Sequence, residues 1–312
     1  MLLPQVLQAQ QIDFLPPGAF SLGFYQENTS YDSVTRTRTQ EKSLLDQRLD
    51  QHHVAKNRIS GSLSESQSSS TLQLQWGFAE NWNLQLAQPQ VTRSRQANLS
   101  LDRPNAKAET FMEHFGDQSR SGLGDATLNL IWRFAYTDFN DLRTYFGLGL
   151  GNGDTYWDEP DRLSLGNGGK DGWFRFHWTH HFSDNQTSFH SQYWRSFPGL
   201  SEFSQGSRDI GVAPGSRQGL LFGYDSLWSY GVWGLGLEGI ERQMTTIGRE
   251  RFFDDGNQLG YFFKLGLGNL AALERPPRPA LPWDLELKYS RIFFGINAPQ
   301  ETSLGLNLSL YF

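Results

Sequence analysis

The sequence predicts an all-β fold, a transmembrane antiparallel up-and-down β-barrel of about twelve strands, and three observations predict it. Large apolar residues recur at every second position over segments of about ten residues, the length a tilted strand needs to cross a bilayer. The connections between these segments alternate short, long, short, long, as in barrels whose hairpin turns share one side of the membrane. The final stretch, SLGLNLSLYF, alternates without a break and ends on an aromatic, where a soluble domain usually frays.

Composition sets the frame. The chain has 312 residues, no cysteine and a net charge of −6. Lack of cysteine excludes disulfides, thiolate metal sites and a cysteine nucleophile. The acidic balance argues against a nucleic-acid partner, which selects a basic stripe. No stretch approaches the ~18 consecutive apolar residues of a membrane-spanning helix. Yet 10 tryptophans and 23 phenylalanines sit mostly at alternate positions, as strands with one lipid-facing side require. Residues 1–15, beginning MLLPQVLQAQ, read as a signal-peptide remnant or an N-terminal tail: Ala9 sits where a signal peptidase cuts, but a basic start is missing. Residues 16–312 form the barrel.

The elements follow in order. A first strand lies near 18–31, and the link to the second runs from about 32 to 65. Within that link, EKSLLDQRLDQHHVAKN puts Leu44, Leu45, Leu49 and Val54 at helical spacing. It reads as a partly helical, solvated surface loop, with a lid helix over the pore as the alternative. Strands at about 66–79 and 82–96 join through Glu80-Asn81, and TLQLQWGF sets Leu72, Leu74, Trp76 and Phe78 against Thr71, Gln73, Gln75 and Gly77. A long link over 97–121 holds a second short helix, AETFMEHF, with Phe111, Met112 and Phe115 on its apolar side. Strands near 122–135 and 142–152 follow, then a Gly-rich acidic link to about 170. Strands near 171–182 and 186–197 join through Ser183-Asp184-Asn185. Strands near 216–227 and 231–242 make the next hairpin, and those near 258–271 and 282–293 join through ERPPRPA. The last strand is 301–312. An even strand count with both termini periplasmic puts every short turn on the periplasmic side and the long loops outside. An open sheet edge in lipid costs several kcal/mol per unsatisfied backbone group, so the last strand has to pair with the first.

The terminal strand, with Leu304, Leu306, Leu308, Leu310 and Phe312 on one face, resembles the assembly signal of Gram-negative outer-membrane proteins. That resemblance implies the bacterial outer membrane as location, its lipid as surroundings and the barrel assembly machinery as a partner. WGFAENWNLQLAQPQV, SGLGDATLNLIWRF and GLGLGNGDTYWDEPDRLSLGNGGKD resemble, in that order, motifs of the barrel family named for the MetA pathway of phenol degradation. The proline that family carries before Gly-Asp is absent here, where Asn152 precedes Gly153-Asp154. AETFMEHFGDQSR is similar to a loop helix of related uncharacterised barrels. The resemblance covers roughly residues 66–182 and implies an outer-membrane transporter without a defined substrate.

Alternation assigns Asp125, Arg133, Arg143, Arg175, His177, Arg217, Asp225, Glu238, Lys264, Glu286 and Lys288 to the lumen lining. Both signs are present, which fits a lining that selects a solute or one that salt bridges close. Lys264 and Glu286 fall on neighbouring strands and are the expected ion pair. His177 and His181 share a strand face but lie about 13 Å apart in an extended strand, too far for one ion. The acidic loops YWDEPDR and RERFFDDGN lack calcium-loop spacing, so no metal or cofactor is expected. His181-Phe182-Ser183 resembles the His–Ser pair of outer-membrane phospholipase but lacks that family's following Asn-Gly, and no base and orienting group assemble around it. The expected function is therefore a channel or transporter for a small, by family analogy hydrophobic, solute. The alternative is a closed-lumen barrel acting as a surface structural or interaction protein, with a lipid hydrolase a distant third.

Overall fold

A computed structural model describes residues 14–312 except 38–39, 52, 154–162, 164, 167–169, 184–185, 200, 206–207, 214, 229–230, 248–249, 253–255, 270–280 and 297. Residues 1–13 of the N-terminal segment, the ERPPRPA turn and the acidic loop YWDEPDR lie outside the described residues. Twelve strands form the wall: β1 (Phe20–Tyr31), β2 (Ile59–Ala79), β3 (Trp82–Leu101), β4 (Thr127–Tyr136), β5 (Asn140–Gly149), β6 (Gly172–His181), β7 (Thr187–Phe197), β8 (Arg217–Trp228), β9 (Gly231–Arg242), β10 (Gly256–Gly268), β11 (Trp283–Ile296) and β12 (Thr302–Tyr311). Each is antiparallel to the next, and β1 closes the sheet on β12 from Ser21↔Tyr311 to Ser30↔Thr302. At the seam the Phe20 N–H donates to the Phe312 carbonyl at 3.0 Å, and the Phe312 N–H donates back at 2.8 Å. The terminal residues are fixed because the sheet has nowhere else to satisfy its edge.

The outer face is an apolar belt. Leu72, Leu74, Trp76 and Phe78 of β2, Leu220 and Phe222 of β8, and Leu304, Leu306 and Leu308 of β12 are all exposed. Such a band on a closed barrel is stable only against lipid, so it marks the membrane span. At the short-turn end, stacked rings such as Phe20–Trp76 (5.9 Å) and Trp82–Trp132 (5.5 Å) form an aromatic girdle.

Above the belt the wall departs from expectation. β2 and β3 run for 21 and 20 residues, pairing from Ala79↔Trp82 out to Ile59↔Leu101. SGSLSESQSSS carries almost no large apolar residues, so alternation does not reveal this extension. Two helices, α1 (Leu44–Gln51) and α2 (Ala106–His114), pack on its lumen-side face. Asn105 caps α2, its side chain accepting from the Ala108 N–H at 2.8 Å. Leu44 and Leu49 are each 1% exposed and join Ile59, Leu63, Phe111 and Phe115 in one cluster. The expected solvated loop is therefore a packed cap with its own small core.

The fourth wall position is also broken. Its outer part, Gln118–Leu123, pairs only with β3, whereas β4 pairs with both β3 and β5. The break at Gly124-Asp125-Ala126 faces Pro89, which has no N–H for the ladder. The Gly124 N–H still reaches the Pro89 carbonyl at 3.0 Å.

Candidate functional site

Alternation sends the polar half of every strand inward. Between the cap and the short-turn end these residues surround a cavity of about 490 Å³. Of the residues that the sequence assigns to the lining, Arg143, Arg175, His177, Asp225, Lys264, Glu286 and Lys288 lie on this cavity. Four do not. Arg133 points inward below it, at the short-turn end. Glu238 is half-buried on the inward face of β9. Arg217 is exposed at the outer end of β8. Asp125 sits in the break beside β4, accepting the Gly153 N–H at 2.7 Å, and holds a loop instead of facing the cavity.

Two ion clusters organise the lining. Asp141, 3% exposed, is clamped by two arginines: Arg133 donates through Nε at 3.2 Å and Nη2 at 2.7 Å, and Arg143 through Nε at 3.0 Å and through Nη2. Such charge-assisted pairs hold their side chains in fixed directions. On the other side Lys264 Nζ lies 2.8 Å from Asp225 Oδ2, with His190 Nδ1 at 3.5 Å from the same oxygen. The sequence pairs Lys264 with Glu286 and does not single out Asp225 as a partner. On β10 and β11, Lys264 stands opposite Lys288 and Glu286 opposite Gly266. Like charges repel, and Lys264 turns the other way, across Gly234 of β9. A Cβ at Gly234 would lie 2.1 Å from Asp225 Oδ1 and 2.6 Å from Lys264 Cε, so only glycine leaves room for the pair.

Aromatic rings line another part of the wall. Trp173 lies flat across Gly147, whose absent Cβ would fall 1.9 Å from the indole. The Arg175 guanidinium is 5.2 Å from the Trp173 ring and 5.3 Å from that of Tyr145. Lys288 Nζ stands 4.9 Å from the Phe262 ring.

The short-turn end holds an element that the sequence does not announce. Phe14 and Leu15 enter the lumen and are 8% and 1% exposed. Leu15 donates its N–H to Asn83 Oδ1 at 2.7 Å and accepts from Asn83 Nδ2 at 2.9 Å. Phe14 packs with Ile131 and Tyr145, and Arg133 covers its ring at 5.0 Å. Gly18, at φ +84°, turns the chain out of the lumen, and its N–H donates to the Gly77 carbonyl at 2.6 Å, at the foot of β2. Asn83 is itself fully buried. The only sequence sign of this segment was an apolar pair just before a glycine turn. His181 and His190 also line the cavity and were not assigned to it. Among the described residues, no group of three or more histidines and carboxylates is placed to hold a metal ion.

No family model and no curated protein matches the chain, and the resemblance to the group named for the MetA pathway is not confirmed. Among solved structures, an outer membrane channel from Pseudomonas putida F1 superposes with a TM-score of 0.70 over 100% of both chains at 13% identity. A mutant of the monoaromatic hydrocarbon channel TodX has a TM-score of 0.43 at 8% identity, covering 95% of this chain and 91% of that one. The porin KdgM has 0.40 at 8%, covering 93% and 97%. At scores this low neither bears on function. The first likeness is one of fold: this chain is a closed outer-membrane β-barrel.

Proposed function

We propose that the barrel passes a small solute across the bacterial outer membrane, as a channel or gated transporter, and has no enzymatic role. One observation carries this reading: a cavity of about 490 Å³, lined by ion-paired and hydrogen-bonding side chains, lies inside a wall whose outer face is apolar. A barrel serving only as a surface anchor has no need of a charged interior space, because small barrels fill their interior with side chains. The structural similarity to an outer membrane channel agrees in architecture. Assembly through the terminal strand, read by the barrel assembly machinery, belongs to the same proposal.

A second reading has its own support. The helical cap covers the lumen-side face of the outer extension, and Phe14 with Leu15 occupies the short-turn end. A barrel stoppered at both ends suits a surface interaction protein. Single-channel recording of the refolded protein in a planar bilayer separates the two. Conductance steps, enlarged when residues 1–15 are removed, are expected for passage. A folded barrel that stays silent with and without that segment would reject passage and favour the interaction role.

A further inference from the structure

The charge of the lumen differs from that of the chain. The whole protein carries −6, but the cavity is lined by four permanent cations, Arg143, Arg175, Lys264 and Lys288, against the carboxylates Asp225 and Glu286. Two of the cations are already committed, Arg143 to Asp141 and Lys264 to Asp225. The other two are not. Neither Arg175 nor Lys288 has a carboxylate within ion-pair distance among the described residues, and Arg175 Nε is buried without a hydrogen-bond partner. Both lie against rings instead, Arg175 beside Tyr145 and Trp173, Lys288 beside Phe262. A ring face stabilises a cation but uses none of its N–H donors in hydrogen bonds to oxygen.

We infer that Arg175, held by Tyr145 and Trp173, is a binding site for a small carboxylate anion in transit, with Lys288 as a second cation across the lumen. The inference rests on the passage reading and narrows it to a solute class. Several features converge on a carboxylate. A guanidinium presents paired donors that match the two oxygens of a carboxylate, and Arg175 keeps its Nη donors for such an anion because its ring partners use none of them. The two cations stand on β6 and β11, separated around the wall by β7 to β10, so an anion entering the cavity meets positive charge from opposite sides. Of the two acids on the cavity, Asp225 is neutralised by Lys264 and flanked by His190, while Glu286 stands two residues from Lys288 on β11, so Arg175 is the stronger anchor for an anion. The rings favour a solute with some apolar surface beside its charge. Trp173 keeps its place because Gly147 beneath it has no side chain. Moderate charge without a deep cage also suits passage, since a transit site must release what it takes up.

The test is the reversal potential of the refolded barrel under a gradient of KCl and then of potassium acetate. Chloride and acetate are expected to outrun potassium, and Arg175→Gln or Lys288→Gln should lower the anion-to-cation permeability ratio about threefold or more. Arg175→Lys keeps the charge but loses the paired donors, so it should retain chloride preference and lose that for acetate. Arg291→Gln, the same charge change on the exposed outer wall, should leave the ratio unaltered. A conducting barrel that is non-selective or cation-selective, or whose ratio ignores Arg175, overturns the site and leaves passage standing. If the folded barrel never conducts, passage itself fails. The site is then read from quenching of Trp173, isolated by difference from Trp173→Phe: stronger quenching by iodide than by caesium supports it, and equal quenching rejects it.

Discussion

At the scale of single residues, Asn83 and Gly234 hold the two ends of the lumen's order. Asn83 is fully buried on the inward face of β3 and bonds both the N–H and the carbonyl of Leu15, while Gln75 Nε2 donates to its Oδ1 at 2.8 Å. Asn83→Ala leaves those buried partners unsatisfied, which costs about 1–3 kcal/mol each before relaxation. The first consequence is release of the Phe14–Leu15 segment. Larger single-channel steps and a lower thermal unfolding midpoint in detergent are expected; unchanged steps would mean that the segment does not restrict the lumen. Gly234→Ala tests a different dependence. Its methyl group would occupy the space through which Lys264 reaches Asp225. Overpacking of this kind costs about 1–3 kcal/mol, and parting the ions adds to it. Removing both ions as well, with Asp225→Ala and Lys264→Ala, vacates that space without leaving a buried charge alone, and recovery of part of the loss distinguishes crowding from a general effect on β9.

At the scale of an element, β12 shows how a strand divides its duties. Leu306 faces outward and Asn307 inward, one residue apart. Leu306→Arg places a charge in the belt and should destabilise by about 2–4 kcal/mol if it lies near the bilayer midplane. Asn307→Arg places the same charge in the lumen and should cost far less. Unfolding in urea with lipid present measures both, and equal losses would mean that the inside and outside faces are wrongly assigned. The same period-two pattern made the wall legible from sequence. Each wall strand was visible in TLQLQWGF, WFRFHWTHHF or their equivalents, because lipid permits only apolar residues on one side. The pattern stopped where lipid stops. The serine-rich outer half of β2 and the break opposite Pro89 carry no periodic signal, and each is set by backbone pairing to β3. In the lining, alternation could place a residue on the inner face but not choose its partner. Lys264 lies opposite a lysine in register, and a glycine on the strand between it and Asp225 decided where it went. The Phe14–Leu15 segment escaped notice because it is not a strand and its contacts, Asn83, Ile131 and Tyr145, are distant in sequence.

At the scale of the whole molecule, the wall and the cap are separate stabilities joined by few residues, and Glu65 is the chief joint. It lies in the outer extension of β2, beyond the apolar belt. Its carboxylate takes the Tyr31 hydroxyl from the end of β1, Arg48 Nη2 of α1 at 3.3 Å, and Arg95 of β3 through Nε at 3.1 Å and Nη2 at 3.1 Å. Burial alone would raise the pKa of Glu65, but Arg48, the Tyr31 hydroxyl and Arg95 outweigh it and hold the group below the ordinary glutamate value. The sign follows. A carboxylate whose folded pKa is depressed contributes stability that is fully present above its unfolded value, about 4.3, and is lost as the pH falls through the folded value. Acid should therefore loosen the joint between α1 and the wall while the lipid-supported strands stay closed, since their backbone pairs do not titrate. Pepsin is the probe, because its preferred apolar bonds in the cap, around Leu44, Leu45 and Phe111, are buried at neutral pH. Nicking of the cap is expected only below about pH 4, with the barrel band on unheated gels intact. Glu65→Gln removes the charge at every pH and should make the cap open to a neutral protease such as trypsin. A cap that resists trypsin in that variant would show that the leucine and phenylalanine cluster holds it without the ion cluster, and the two helices would then be a fixed part of the barrel mouth.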